Sequence, residues 1–141
     1  MDRMLDSGIS GPLYLRRPEI ADMVVAAIHD GESKFGRYQL HAYVVMPNHV
    51  HLLVTPNVVA TRWLGPLKGF TAHQANQLPD HHGKPLWQDE SYDHLVASEV
   101  QFDRIQSYIE ENPVKAGLVS EPQEHPWSSA ASRLKGVLQP L

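Results

Sequence analysis

Apolar residues recur at helical spacing after Pro18, at Ile20, Met23, Val24, Ala27 and Ile28. Proline is well suited to the first position of a helix, and Gly31 offers a natural stop. The pattern therefore predicts a helix from Pro18 to about Gly31. The preceding residues, 1–17, contain Gly8, Gly11 and Pro12 and predict a loop or an arm.

From Arg37 the hydrophobic period changes from helical spacing to two. Leu40, Ala42, Val44 and Met46 alternate with more polar residues, which predicts a strand ending near Met46. Pro47-Asn48 has the composition of a turn, because proline presets φ and asparagine tolerates turn geometry. The residues from His49 to Thr55 then predict a second strand that returns as a hairpin.

The rest of the chain predicts a mixture of helices, a loop and a strand. A helix over Thr61–Gln77, with Gly65-Pro66 near its start, is followed by an exposed loop over Pro79–Pro85 with solvated His81 and His82. An irregular strand over Leu86–Ala97 comes next. A helix then begins at a Ser98/Gln101 capping box and ends at Asn112-Pro113, and a short helix covers Trp127–Leu134.

This order of elements predicts an α+β fold with helices packed on an antiparallel sheet. The length of 141 residues fits one domain, with an arm at 1–17, a core at 18–135 and a tail at 136–141. No apolar stretch reaches the roughly 20 residues of a membrane helix. The chain contains no cysteine, which excludes disulfides and thiolate metal sites and fits a reducing cytoplasm. The net charge of -4 counts against nucleic-acid binding, although a local basic patch is compatible with it.

His49 and His51 are the first candidate site residues. Residues two apart on a strand point to the same face, so the two imidazoles lie side by side. Such a pair is half of a site for a divalent cation. From this short pattern alone, two surface histidines on a polar strand face are the favoured interpretation.

Tyr108 and Asn112 form a second candidate group on the predicted third helix. They are four residues apart and share one face with Arg104, next to the apolar stripe of Phe102, Ile105 and Ile109. A tyrosine hydroxyl attacks a phosphodiester when a metal polarises the phosphate. An amide oxygen from Asn112 is a suitable third ligand. The alternative is that Tyr108 only packs as an amphipathic aromatic side chain.

Three motifs occur in order along the chain: Met46-Pro-Asn-His-Val-His51, Trp87-Gln-Asp-Glu-Ser-Tyr-Asp-His94 and Tyr108-Ile-Glu-Glu-Asn-Pro-Val-Lys-Ala-Gly117. Together they resemble the REP-associated tyrosine transposases, insertion-sequence transposases of the HUH superfamily. Leu67-Lys-Gly-Phe-Thr-Ala72 is similar to the family's second-helix segment. The resemblance covers about Arg17 to Ser132.

The resemblance implies a ferredoxin-like HUH fold and a specific chemistry. His49, His51 and Asn112 would bind Mg²⁺ or Mn²⁺, and Tyr108 would attack single-stranded DNA to leave a 5′-phosphotyrosine and a free 3′-hydroxyl. Rejoining would reverse the step. The implied substrates are hairpin-forming REP-type repeats of bacterial genomes, and the implied assembly is a monomer or a homodimer.

Four basic residues are further candidates for phosphate contacts: Arg62, Lys68, Arg104 and Lys115. For Arg62, Lys68 and Lys115 a solvated surface charge is the favoured alternative. Two other functions stay open beside the transposase. One is a truncated or domesticated relative that binds DNA without cutting it. The other is a metal-dependent hydrolase that uses the histidine pair with Glu110, Glu111 or Asp93 as the base.

Family members begin with a strand, ahead of the first helix, that joins the central sheet. Residues 1–17 supply only Leu13-Tyr14-Leu15 as an apolar run, so we expect the fold to lack this strand. An internal start site and a truncated gene both explain such a loss. Because an exposed sheet edge promotes aggregation, we expect the 141-residue form to be unstable or inactive unless it dimerises or gains upstream residues.

Overall fold

The computed structural model describes residues 13–79, 81, 83, 85–87, 92–95 and 99–137. Their elements, in chain order, are a 3₁₀ turn (Tyr14–Arg16), α1 (Pro18–Ser33), β1 (Tyr38–Met46), β2 (His49–Pro56), α2 (Ala60–Asn76), β3 (Tyr92–Leu95), α3 (Glu99–Lys115), a second 3₁₀ turn (Pro122–Glu124) and α4 (Ser129–Val137). The predicted α+β class is confirmed. The predicted absence of a first strand stays a prediction, since residues 1–12 lie outside the described ranges.

The sheet has the order β1-β2-β3. β1 and β2 form the predicted antiparallel hairpin, in which Val44 pairs with His51 and Met46 pairs with His49. β3 differs from the predicted antiparallel arrangement, because it runs parallel to β2. The reason is the intervening α2, since a helical crossover allows the next strand to run in the same direction. The predicted strand over Leu86–Ala97 is also shorter in the described residues, where 85–87 carry no strand.

Side chains along β1 and β2 point alternately to the two faces of the sheet, which divides the core into two layers. On one face, Tyr43, Val45, Val50, Leu52 and Val54 belong to a cluster with the apolar sides of α1 and α2. On the other face, Ala42, Val44, Met46 and Leu53 pack against Ile105 and Ile109 of α3. Strand residues with the same parity share a face, so His49 and His51 lie on the face of Leu53. The histidine pair and α3 therefore occupy the same side of the sheet.

The end of α3 corrects the prediction that Asn112-Pro113 stops the helix. The helix continues to Lys115, with Pro113 inside it. Gly117, with φ of 78°, supplies the left-handed residue that ends the helix. Leu118 N–H donates to Pro113 O (2.9 Å) and Gly117 N–H to Val114 O (3.0 Å), the pair of bonds that defines a Schellman motif. The helix therefore passes through Pro113, and the cap at Gly117 satisfies the carbonyls of Pro113 and Val114.

Three other helix boundaries and the solvent exposure of one histidine also differ from prediction. α1 passes through Gly31 to Ser33, and the last helix covers Ser129–Val137 instead of Trp127–Leu134. His81, predicted to be solvated, is 2% exposed and its ring meets the Tyr14 ring edge-on at 4.6 Å between centroids. His82 and Ser98 lie outside the described residues. No helix in the described part of the chain is long and apolar enough to cross a membrane.

Candidate metal and tyrosine site

The turn between β1 and β2 positions the histidine pair. Its Pro47 carbonyl accepts a hydrogen bond from Leu15 N–H (2.9 Å), which ties the turn to the 3₁₀ turn ahead of α1. His49 follows the turn directly and His51 comes two residues later, so the hydrogen-bonded hairpin holds the backbone of both residues in place. The ring centroids of the two histidines are 4.7 Å apart and their planes are nearly perpendicular at 75°.

Asn48, which the sequence prediction treated only as a turn former, contacts one of the candidate ligands. Its Oδ1 lies 2.8 Å from Nδ1 of His49. A ring nitrogen facing a carbonyl oxygen must donate, so the proton sits on Nδ1 and the lone pair on Nε2. Metal-binding histidines are commonly oriented by such a bond at the other nitrogen. In the sequence, only the position of Asn48 directly before His49 could have indicated this contact.

The two imidazoles are chemically suited to a hard or borderline divalent cation. Bonds from imidazole nitrogen to a metal are about 2 Å long, so rings with centroids 4.7 Å apart are close enough to share one ion. Among the described residues, no group of three or more His, Asp or Glu residues is arranged to hold a metal. The remaining positions would need amide, water or phosphate oxygens, which Mg²⁺ and Mn²⁺ accept readily.

Tyr108 projects from α3, on the same side of the sheet as the histidine pair. Its side chain packs on the cluster formed by Ile105, Ile109 and the β1 residues of that face. The hydroxyl oxygen is buried and has no hydrogen-bond partner in the described part of the chain. The Lys115 ammonium lies 4.4 Å from the centroid of the Tyr108 ring. A cation therefore stands beside the candidate nucleophile.

The direction of α3 places Tyr108 toward the histidine end of β1. The Phe102 ring contacts the His41 ring (4.9 Å between centroids), so the first turns of α3 lie beside the first half of β1. Tyr108 and Ile109, about two turns later, pack in the cluster that contains Val44 and Met46. α3 thus runs in the same direction as β1, whose last residues pair with His51 and His49.

Asn112 lies one turn beyond Tyr108 on α3 and is half-buried. Its role as a third ligand stays a prediction, as does a direct approach of the Tyr108 hydroxyl to the imidazoles. Arg104 is exposed one turn before Tyr108. These two residues share the Tyr108 side of α3 because they are spaced at four-residue intervals.

Arg62 and Lys68 do not join this group. Both belong to α2, which packs through Trp63 and Leu67 on the opposite face of the sheet. Arg62 is exposed and Lys68 is half-buried. If they contact DNA, the strand must pass around the edge of the sheet.

Glu110 is engaged in a structural network, which weakens the hydrolase interpretation. It is 6% exposed, and its carboxylate accepts hydrogen bonds from Arg133 Nη1 (2.7 Å), Arg133 Nη2 and Ser129 Oγ (2.6 Å). Burial alone would raise the pKa of Glu110, but the bonds from Arg133 and Ser129 outweigh it and lower the pKa below its ordinary value. A carboxylate held in this way is a poor base. Glu111 is exposed, and the side chain of Asp93 lies outside the described residues.

Comparisons with known proteins agree with the motifs. The family model described as "Transposase IS200 like" matches residues 16–112, which include the histidine pair, Tyr108 and Asn112. A REP-associated tyrosine transposase of Escherichia coli (strain K12) is 28% identical over 108 residues, covering 74% of this chain and 61% of the relative. The chain thus spans less than two thirds of that relative's length. No solved structure matches the chain. Because the family model covers more than half of its residues, this chain belongs to the IS200-like transposase family.

Proposed function

We propose that this chain is a metal-dependent transposase that cleaves and rejoins single-stranded, hairpin-forming DNA through Tyr108. The observation that carries the proposal is the common placement of the histidine pair and the Tyr108 helix on one face of the sheet. The relative in Escherichia coli is named as REP-associated, and we extend that substrate class, REP-type hairpins, to this chain.

Tyr108 serves as the nucleophile in this proposal. Its hydroxyl oxygen attacks the scissile phosphorus, the bond from phosphorus to the 3′ oxygen breaks, and that oxygen leaves with the electron pair. The phenol proton is transferred overall to the leaving 3′ oxygen. The products are a 5′-phosphotyrosine and a free 3′-hydroxyl, and attack by another 3′-hydroxyl reverses the step without ATP.

His49, His51 and Asn112 would hold Mg²⁺ or Mn²⁺. When bound, such a cation polarises the scissile phosphate and stabilises the leaving oxygen. The Asn48 bond at Nδ1 of His49 fixes the ring so that its Nε2 lone pair is presented. The incomplete protein donor set leaves positions for phosphate oxygens, so we expect the metal to bind more tightly in the presence of DNA.

Lys115 and Arg104 flank Tyr108 and would contact phosphates on either side of the scissile bond. The Lys115 ammonium already lies over the Tyr108 ring. There it would balance the negative charge that develops during attack. Arg62 and Lys68, on the other face, would contact a more distant part of the hairpin.

A non-catalytic DNA-binding relative is the second candidate, and one observation favours it. The Tyr108 hydroxyl is buried, so whatever covers it must be displaced before a phosphate can reach it. In a chain that only binds hairpins, this opening would never be needed.

A covalent-adduct experiment separates the two candidates. The purified chain is incubated with Mn²⁺ and a hairpin-bearing single strand, labelled at its 3′ end in one sample and at its 5′ end in another. Because the phosphotyrosine retains the 3′ fragment, only the 3′ label should move to a protein band that survives denaturant. The 5′ label should appear on a shorter free strand.

Three variants assign the chemistry. Tyr108→Phe should abolish the adduct, and His49→Ala should reduce it strongly. Tyr43→Phe, which alters a buried tyrosine on the opposite face of the sheet, is the matched control and should form the adduct normally. An adduct that persists in Tyr108→Phe would refute the nucleophile. Hairpin binding with no adduct in the unmodified chain would establish the non-catalytic alternative.

A further inference from the structure

Residues 125–129, which lead into α4, form hydrogen bonds with the edge of β1 that faces away from β2. Val45 N–H donates to Trp127 O (2.8 Å), and Nε2 of His125 donates to Val45 O (2.8 Å). Tyr43 N–H donates to Ser129 Oγ (3.0 Å). These bonds attach the start of α4 to the strand that sets the register of the histidine pair.

Ser129 extends this attachment to α3. Its hydroxyl has one proton, and the short contact with Glu110 Oε2 (2.6 Å) takes it, so the oxygen accepts from Tyr43 N–H. Arg133, one turn further along α4, donates both guanidinium nitrogens to the same carboxylate. Paired, charge-assisted bonds of this kind fix geometry as well as adding stability.

Glu110 lies two residues after Tyr108, so their side chains leave α3 about 200° apart. One points to α4 while the other points along the sheet face. Glu110 therefore cannot share the substrate site with Tyr108, but a rotation or shift of α3 would move both. The apolar contacts of Ile105 and Ile109 are non-directional and do not by themselves fix that rotation.

We propose that Glu110, Ser129 and Arg133 form a clasp that fixes the rotation and height of α3 and thereby positions Tyr108 relative to the histidine pair. Ser129 and Arg133 lie beyond residues 16–112, so two thirds of the clasp comes from outside the segment that matches the family model. The inference rests on the proposed function for its consequence, namely the rate of strand cleavage. The placement of α3 is a separate consequence that does not depend on activity.

The first measurement is the single-turnover rate of adduct formation with a 3′-labelled hairpin. Displacement of a reacting group by about 1 Å costs on the order of 100-fold in rate, so Arg133→Ala should slow the step by about 10- to 100-fold. Arg133→Lys, which retains the charge but not the paired bonds, should recover part of the rate. The affinity for the hairpin, measured in a Tyr108→Phe background, should stay within about twofold of that of the Tyr108→Phe chain with Arg133 intact.

Glu111→Gln is the matched control for Glu110→Gln. Both changes remove one carboxylate charge from neighbouring positions of α3, but Glu111 is exposed whereas Glu110 is in the clasp. Glu110→Gln should slow cleavage, and Glu111→Gln should not. If Arg133→Ala fails to fold, the Glu110→Gln and Arg133→Lys variants decide the matter.

The second measurement reports on α3 without activity. The chain is labelled with 3-fluorotyrosine, and the Tyr108 ¹⁹F signal is assigned from its loss in Tyr108→Phe. Arg133→Ala and Glu110→Gln should shift or broaden this signal, while the signal of Tyr38, in the other core layer, stays in place.

An unchanged rate together with an unchanged Tyr108 signal would overturn the clasp. A loss of hairpin affinity in step with the rate would also overturn it, since Arg133 would then be a DNA contact. If the unmodified chain forms no adduct, the proposed function fails, and the ¹⁹F signal alone decides whether the clasp positions α3.

Discussion

The buried hydroxyl of Tyr108 makes a prediction about stability that distinguishes a nucleophile from a packing residue. In the described part of the chain this hydroxyl has no hydrogen-bond partner. Burying an unsatisfied hydroxyl costs about 1–3 kcal/mol. Tyr108→Phe should therefore raise the free energy of unfolding, by about 1 kcal/mol once packing losses are allowed for.

Tyr43→Phe should have the opposite effect. Tyr43 is 2% exposed and its hydroxyl lies 3.1 Å from Nε2 of His29, so the substitution removes a partly buried hydrogen bond. We expect a loss of about 1 kcal/mol. In a chain of this size, 1 kcal/mol corresponds to about 3–4 °C in melting temperature.

Urea unfolding followed by circular dichroism, without DNA or metal, measures both variants under the same conditions. The two free energies of unfolding should move in opposite directions from that of the unmodified chain. If Tyr108→Phe loses as much stability as Tyr43→Phe, the Tyr108 hydroxyl has a structural partner. The hydroxyl would then be a packing group, which would count against its assignment as the nucleophile.

Three further predictions concern packing, pH and metal affinity. Gly31→Ala should lower the free energy of unfolding by about 1–3 kcal/mol, because the added Cβ would lie 2.2 Å from the buried Tyr38 hydroxyl. Gly69→Ala, at a helical glycine with open space around it, should raise the free energy of unfolding. Thermal melts compare the two variants. Burial lowers the pKa of His125 below 6.5, so the unfolded chain takes up a proton that the folded chain resists. Stability should fall as pH drops below about 6.5, and His125→Gln should shrink the difference between melts at about pH 7.5 and about pH 5.5. Asn48→Ala should weaken Mn²⁺ binding about 10- to 100-fold in calorimetry with hairpin DNA present, because His49 loses its orienting partner; equal affinities would show that the bond is not needed.

The parts of the fold that follow from local periodicity were predictable from the sequence. The α1 stripe and the hairpin are examples, and the hairpin register follows once Pro47-Asn48 forms the turn. The placement of His49 and His51 on one face needs only strand alternation. The family resemblance then linked this face to Tyr108.

Features that depend on long-range contacts were not predictable. His81 is buried because a distant Tyr14 ring covers it, and nothing in the loop sequence indicates this. The end of α3 depends on a cap at Gly117 that overrides the local preference at Pro113. The Glu110–Arg133 pair joins residues 23 apart on different helices, a separation with no periodic signal.

The account depends most on the convergence of the imidazole pair and Tyr108 on one cation. Crystals of the chain with hairpin DNA and Mn²⁺, studied by anomalous scattering, measure this directly. We expect one manganese peak bonded to His49 and His51, at about 2 Å from each nitrogen, on the side of the sheet where the Tyr108 hydroxyl approaches the scissile phosphate. A peak away from the two imidazoles, or a Tyr108 hydroxyl that never reaches the phosphate at that ion, would contradict the account.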